Sequence, residues 1–126
     1  MELKIDTKEK FQLLTPVGTS ITAIIAAEIV TICNKCLEST QKNMVLNLEN
    51  VEEIAPDACQ ILTDLQQAFY DKSASFVMCC LNAKLEDAFD ELGLLEVLNL
   101  TPTLSEASDI VMMEEIEREL LDSDDF

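Results

Sequence analysis

Five residues of unbroken strand character, Met44-Val-Leu-Asn-Leu48, lie within a few residues of a helix-like segment that opens at Pro56. This juxtaposition constrains the fold more than anything else in the chain. The run is too short for a helix and has the apolar character of a strand covered on both faces. Between the two lies a short polar turn. Proline suits the first turn of a helix, where its missing N–H is not needed. From there Ala58, Ile61, Leu62, Leu65, Ala68 and Phe69 recur at helical spacing and predict one buried stripe. A second continuous apolar run, Ser75-Phe-Val-Met-Cys-Cys-Leu81, follows as another doubly covered strand.

The remaining segments extend this alternation. Leu3 to Asp6 and Phe11 to Leu14 read as strands joined at Lys8-Glu9-Lys10, a hairpin, before Pro16 and Gly18 break the chain. From Ser20 to about Leu37, Ile21, Ile25, Ile29, Ile32, Cys36 and Leu37 follow a helical period. Ser39 to Asn43 is a polar connector. Leu85, Ala88, Phe89 and Leu92 predict a third helix closed by Gly93 at its C′ position. Glu96 to Leu100 reads as a last short strand. Thr103-Leu-Ser-Glu106 has the form of a capping box for a terminal helix whose stripe is Leu104, Ala107, Val111, Met113, Ile116 and Leu120. Strands alternating with helices predict a largely parallel sheet with helices packed on it. The expected fold is a single α/β domain over residues 1–121, with a four- to five-stranded mixed sheet, about four helices and an acidic tail at 122–126.

Composition narrows the function classes. The net charge of −17, from 25 acids and 8 bases, repels phosphate backbones and anionic membranes, so a protein partner is expected rather than nucleic acid. Simple solubility is the alternative source of that charge. No apolar stretch is long enough to cross a bilayer, and Met1-Glu-Leu-Lys-Ile5 lacks the order of a secretory signal. The five scattered cysteines, an odd number, argue against a disulfide framework and for a cytoplasmic setting. Cys33-Asn-Lys-Cys36 is a Cys-x-x-Cys, but both cysteines fall late in a helix, whereas a reactive thiol wants a helix N-terminus. They read as core residues. With no histidine, and with Cys79 and Cys80 on opposite faces of a regular strand, a zinc site is not expected, nor any other cofactor. Glu52, Glu53 and Asp57 read as a solvated turn rather than a catalytic carboxylate pair, and no enzyme activity is expected. Glu114, Glu115, Glu117 and Glu119 with Asp122, Asp124 and Asp125 read as a solvated helix face, or as a surface for a basic partner groove.

Several pieces together resemble the STAS domain, found in anti-sigma factor antagonists and in the cytoplasmic tails of sulfate transporters. They are Met44–Val51, with its turn Leu48-Glu49-Asn50-Val51; Ala55–Leu62; Ala83–Leu95, with Leu92-Gly93-Leu94; and Thr103–Ala107. In that family an Asp-Ser-Ser-Gly signature carries a serine that the partner kinase phosphorylates. Aligning Val51 and Ile54 puts Ala55 on the family's aspartate, Pro56 on its first serine, Asp57 on the phosphorylated serine and Ala58 on its glycine. No Ser or Thr lies between Asn50 and Gln60, so a fixed carboxylate stands where the family has a switchable hydroxyl. Asp57 has two readings: helix-start stabilisation, worth about 0.3–1 kcal/mol at an exposed end, or an incomplete imitation of phosphoserine that sets partner affinity.

The resemblance implies a regulatory, protein-binding domain whose partner is an anti-sigma factor of the serine-kinase type. The implied contact surface is Gly18, Thr19 and Ser20, the turn Ala55, Pro56, Asp57 and Ala58, and the helix positions Gln60, Thr63, Asp64 and Gln67. The alternative is a structural subunit of a larger complex, such as a lipid-transport ATPase or a stressosome-like assembly.

Overall fold

The structure, a computed structural model, describes residues 1–123. Its elements are β1 (Glu2–Thr7), β2 (Gln12–Val17), β3 (Ser20–Ile21), α1 (Ala23–Glu38), β4 (Met44–Asn47), β5 (Glu53–Ile54), α2 (Pro56–Asp71), β6 (Phe76–Cys79), α3 (Ala83–Glu91), a 3-10 turn at Leu95–Val97, β7 (Leu100–Thr101) and α4 (Leu104–Ser123). Five strands form one mixed sheet in the order β1-β2-β4-β6-β7, antiparallel only between β1 and β2. The expected α/β domain with a five-stranded sheet and four helices is what forms. The helix α4 runs through Ser123, so the expected boundary at 121 falls inside it, and residues 124–126 of the expected tail lie outside the described residues.

The strand β4 is buried at every position, with its side chains divided between two cores. Met44 and Leu46 join Leu14, Phe76 and Met78 under Ile29 and Cys33 of α1, Leu62 and Phe69 of α2, and Leu85 and Phe89 of α3. Val45 joins Phe11, Leu13, Val77 and Cys79 under Ala107 and Val111 of α4. Alternation along the strand sends neighbours to opposite faces, and each fully buried Leu or Val contributes roughly 1.5–3 kcal/mol. Helices α1–α3 cover one face of the sheet and α4 covers the other.

Local differences from expectation have identifiable causes. The first helix starts at Ala23, not Ser20, because Thr22 caps it: its Oγ1 accepts from the Ile25 amide at 3.3 Å. Ser20 and Ile21 instead pair in parallel with Glu53 and Ile54, a ladder too short to read from sequence. Pro16 does not break β2. The β2–β4 ladder stops at Leu14, so Pro16 lies where β2 has one strand partner, opposite Leu3. Glu96 and Val97 belong to the 3-10 turn, and the last strand is only Leu100–Thr101. Leu92 lies just past α3 and is exposed, so it is not part of that helix's buried stripe. Cys80 leaves strand geometry at φ +64°, and it packs with Cys79 against the same core cluster rather than opposing it.

The largest departure is in α4. Its inward face starts as expected with Ala107 and Val111, then continues with Glu114 and Arg118 at the same helical phase. Glu114 accepts from the Tyr70 hydroxyl at 2.7 Å, and Asn99 Nδ2 donates to Tyr70 at 2.7 Å. Arg118 Nη2 donates to Ser75 Oγ at 3.1 Å and to Asn43 Oδ1 at 3.3 Å. Asn43, 3% exposed, also donates to the Lys10 carbonyl and to Glu115 Oε1, and accepts from the Ser75 amide. These partners satisfy the buried amide of Asn43 and pin α4 to the starts of β4 and β6. Met113, Ile116 and Leu120 are therefore exposed, and Glu114 and Glu115 are bonded side chains rather than part of a solvated face.

Two helices end alike. At α3, Gly93 at φ +69° donates to Asp90 and Leu94 donates to Phe89, forming a Schellman motif. At α2, Ser73 at φ +59° donates to Tyr70 and Ala74 donates to Phe69, the same motif with a side chain in the left-handed conformation. A Cβ at Gly93 would meet no atom within 4 Å, so its replacement tests the backbone alone. The expected outcome is that Gly93→Ala costs about 1 kcal/mol and Ser73→Gly stabilises by about 0.5–1 kcal/mol. Urea unfolding midpoints should move in opposite directions, with unchanged slopes.

Candidate functional site

Three loops meet at the carboxyl ends of the parallel strands, the place where open α/β sheets usually bind their ligands. The Thr19 carbonyl accepts from the Glu52 amide at 2.7 Å and the Glu53 amide at 3.0 Å. The Ile21 carbonyl accepts from the Ala55 amide at 2.9 Å. The Gly18–Ser20 loop and the turn entering α2, which the sequence places 35 or so residues apart, are thus one hydrogen-bonded surface. A third loop, after β6, joins them through Asn82: its Nδ2 lies 3.5 Å from the Val51 carbonyl and 3.4 Å from that of Glu52, while its Oδ1 caps α3 at the Leu85 amide, 2.8 Å away. Lys84 pairs with Glu53 at 3.4 Å on the exposed rim.

The helix α2 begins with Ala55 in the N-cap position, which offers no side-chain acceptor, and Pro56 in the first turn. Its start thus keeps amides without an intrahelical partner and a positive dipole end. Asp57 sits there exposed, with no side-chain partner among the described residues. Ala58 turns inward into the core. Along the outer face, Gln60 donates to Asp64 at 2.9 Å and Gln67 donates to Asp71 at 2.9 Å, pairs that support an exposed helix. Thr63 spends its hydroxyl on the Cys59 carbonyl. Asp57, Asp64 and Asp71 therefore form a carboxylate stripe at seven-residue spacing, in which Asp57 alone lacks a glutamine partner among the described residues.

All the expected contact residues lie on the two joined loops or on α2. Gly18, Ser20 and Thr63 are half-buried, Ala55 is half-buried and Ala58 is fully buried, so Ala58 offers no side-chain contact. Two residues near the ends of these loops were not singled out in the sequence reading. Asn82 carried a readable signal, as an N-cap type just before a helical stripe. Ile24, 73% exposed in the first turn of α1, carried none, because it sits within an Ile-rich helix that reads as core. A shallow groove of about 530 Å³ runs along Lys4, Asp6, Thr15 and Val17 and ends at Glu49 and Asn50. Among the described residues, no three Cys, Asp or Glu side chains are grouped to hold a metal ion.

Cys33, Cys36 and Cys59 are poised against reactivity. Cys33 and Cys36 are buried on the inner face of α1. Burial pushes the Cys36 thiol up to about 11, and it raises Cys33 too, helped by the neighbouring Cys36. Burial likewise takes Cys59 to about 11, against the pull of its own backbone hydrogen bond. Thiol exchange needs thiolate, and these groups hold their protons near neutrality. Because the folded state keeps protons that the unfolded state releases above an ordinary 9.0, stability is level below about pH 9 and is lost as pH rises toward about 11. Urea midpoints at pH 7, 9 and 10.5 should show this fall, with a shallower slope in Cys36→Ala/Cys59→Ala; equal slopes would assign the loss to other groups.

With this geometry in view, the comparisons are informative. The sequence pattern of the STAS domain matches residues 3–107, and the chain belongs to that family. An anti-sigma factor antagonist from Mycobacterium paratuberculosis superposes with a TM-score of 0.75 at 15% identity, over 88% of this chain and 93% of that one. A glutamate-for-serine variant of RsbS from Moorella thermoacetica gives 0.74 at 12%, over 94% and 99%. The Bacillus cell fate determinant SpoIIAA in its phosphorylated form gives 0.64 at 10%, over 87% and 99%. At these identities the likeness establishes a shared fold. No curated protein sequence matches the chain. Among the described residues, no helix is long and apolar enough to cross a membrane.

Proposed function

We propose that this STAS domain is a non-enzymatic, protein-binding regulator of the anti-sigma factor antagonist type, with a permanent charge where its relatives carry a reversible one. The observation that carries the reading is Asp57, a carboxylate with no hydrogen-bond or ion-pair partner among the described residues, at the start of α2 on a stretch without hydroxyls. Around it, Gly18, Thr19, Ser20, Ala55, Pro56, Gln60, Asp64 and Gln67 supply the contact surface. That surface is mostly backbone, amide and carboxylate, and it is largely preformed by the Thr19 and Ile21 carbonyl bonds. The partner is an anti-sigma factor of the serine-kinase class, bound in the cytoplasm, and its binding is not released by phosphorylation at this helix.

A carboxylate carries less charge and fewer acceptor oxygens than a phosphate, so Asp57 sets an intermediate affinity. Replacement by serine should restore the neutral, modifiable state. The expected outcome is that kinase and ATP leave the peptide covering residues 50–60 unmodified in the wild type, and that Asp57→Ser changes partner affinity at least several-fold. Mass spectrometry and titration calorimetry read these two effects. Phosphate on the wild-type peptide, or an Asp57→Ser protein with unaltered affinity, would sink the assignment. A tight complex indifferent to nucleotide would instead mark a structural subunit docked through the same surface.

A further inference from the structure

The outward face of α4 carries a second binding surface. Met112, Met113, Ile116 and Leu120 fall on the side of the helix opposite Ala107, Val111, Glu114 and Arg118, as spacing at about 100° per residue requires. Met113, Ile116 and Leu120 are 59%, 53% and 60% exposed. Single exposed apolar residues are ordinary, but a continuous stripe over two turns on a helix already anchored by its other face is not. Nothing in the fold requires it: the inner face of this half of α4 is held by Tyr70, Asn43 and Ser75.

Charge selects the occupant. Glu115 and Glu119 border the stripe on one side and Glu117 on the other, with Glu106 at the phase of Glu117 more than one turn before the stripe begins. A second copy of the chain would set glutamate against glutamate along both borders, whether the two helices ran parallel or antiparallel, and would bring together two bodies of charge −17. Lys10, which lies beside Met112 and Ile116, is already ion-paired with Glu115 at 3.8 Å. Beside the stripe, Lys10, Met112, Glu115, Ile116 and Glu119 line a hollow of about 170 Å³, room for one apolar side chain of a partner. We propose that this face docks a basic amphipathic helix of another protein, its apolar residues laid on Met112, Ile116 and Leu120 and its lysines or arginines against Glu117 and, toward the start of the helix, Glu106.

The location makes this a separate surface. Arg118 and Glu115 bond Asn43 and Ser75, which precede β4 and β6, whereas the Asp57 loops follow the carboxyl ends of the strands. Both surfaces can be occupied at once, and the proposal stands whether or not the Asp57 assignment does.

A designed 18-residue Leu/Lys amphipathic helical peptide tests it, with a scrambled peptide of equal composition as control. In NMR titrations of the full chain, the Leu/Lys peptide should move Met112, Met113, Ile116 and Leu120 resonances. The variant Ile116→Ser/Leu120→Ser should bind at least tenfold more weakly while melting at the wild-type temperature. Glu106→Gln/Glu117→Gln should weaken binding and flatten its salt dependence. Equal binding of the scrambled peptide, or undiminished binding to the serine variant, would reduce the interaction to unspecific charge attraction and overturn the proposal. Self-association of the wild type in sedimentation, abolished in the serine variant, would overturn it in favour of a second copy.

Discussion

The rest of the molecule hangs on the two-sided burial of β4. Its four residues have no solvent face, so each must be apolar or fully bonded, and each must have a partner layer on its own side. That requirement places α1, α2 and α3 on one face and draws α4 across the other. It also places polar residues where the strand ends: Asn43 before Met44 and Asn47 after Leu46. Asn47 accepts from the Glu49 amide and turns the chain toward β5, while Asn43 gathers β2, β6 and α4 at the opposite end. A buried amide of this kind is costly unless every bond is made, and here it fixes register as well as contributing stability.

The carboxyl end is organised mainly by backbone bonds between the first two loops. Thr19 and Ile21 offer carbonyls, and Glu52, Glu53 and Ala55 offer amides. Asn82 adds a side-chain tie to the Val51 and Glu52 carbonyls, and Lys84 an ion pair with Glu53 at the rim. That arrangement tolerates wide sequence change, consistent with structural relatives at 10–15% identity whose folds still superpose.

Elements with a strong apolar period were legible in the sequence, and so were Gly93 as a helix stop and Pro56 as a helix start. The α2 stripe and the β6 run needed no tertiary information, because burial on one or both faces writes itself into the pattern. The failures share a cause. The β3–β5 ladder, the Asn43 centre and the Asn82 tie rest on hydrogen bonds between distant segments, which leave no periodic trace. In α4 the apolar residues suggested one continuous inner stripe, but the step from Val111 to Met113 crosses to the other side of the helix, and Glu114 and Arg118 hold the inner phase through distant polar partners. The proposed Asp57 surface rests on a resemblance of residue types in order, since loop contact cannot be read from loop composition.

The change of character along the inner face of α4, from Ala107 and Val111 to Glu114 and Arg118, also divides the helix in strength. Its first half is held by burial, which is cooperative with the sheet; its second half is held by a few polar bonds at a solvent margin. Polar attachments of that kind open locally at lower cost than a packed core. The last turns should therefore exchange their amide hydrogens well before β4 or β6 do, peeling from the C-terminal end while the domain stays folded. Amide exchange is expected to divide the molecule into two cooperative units of unequal protection, with the boundary between Val111 and Glu114.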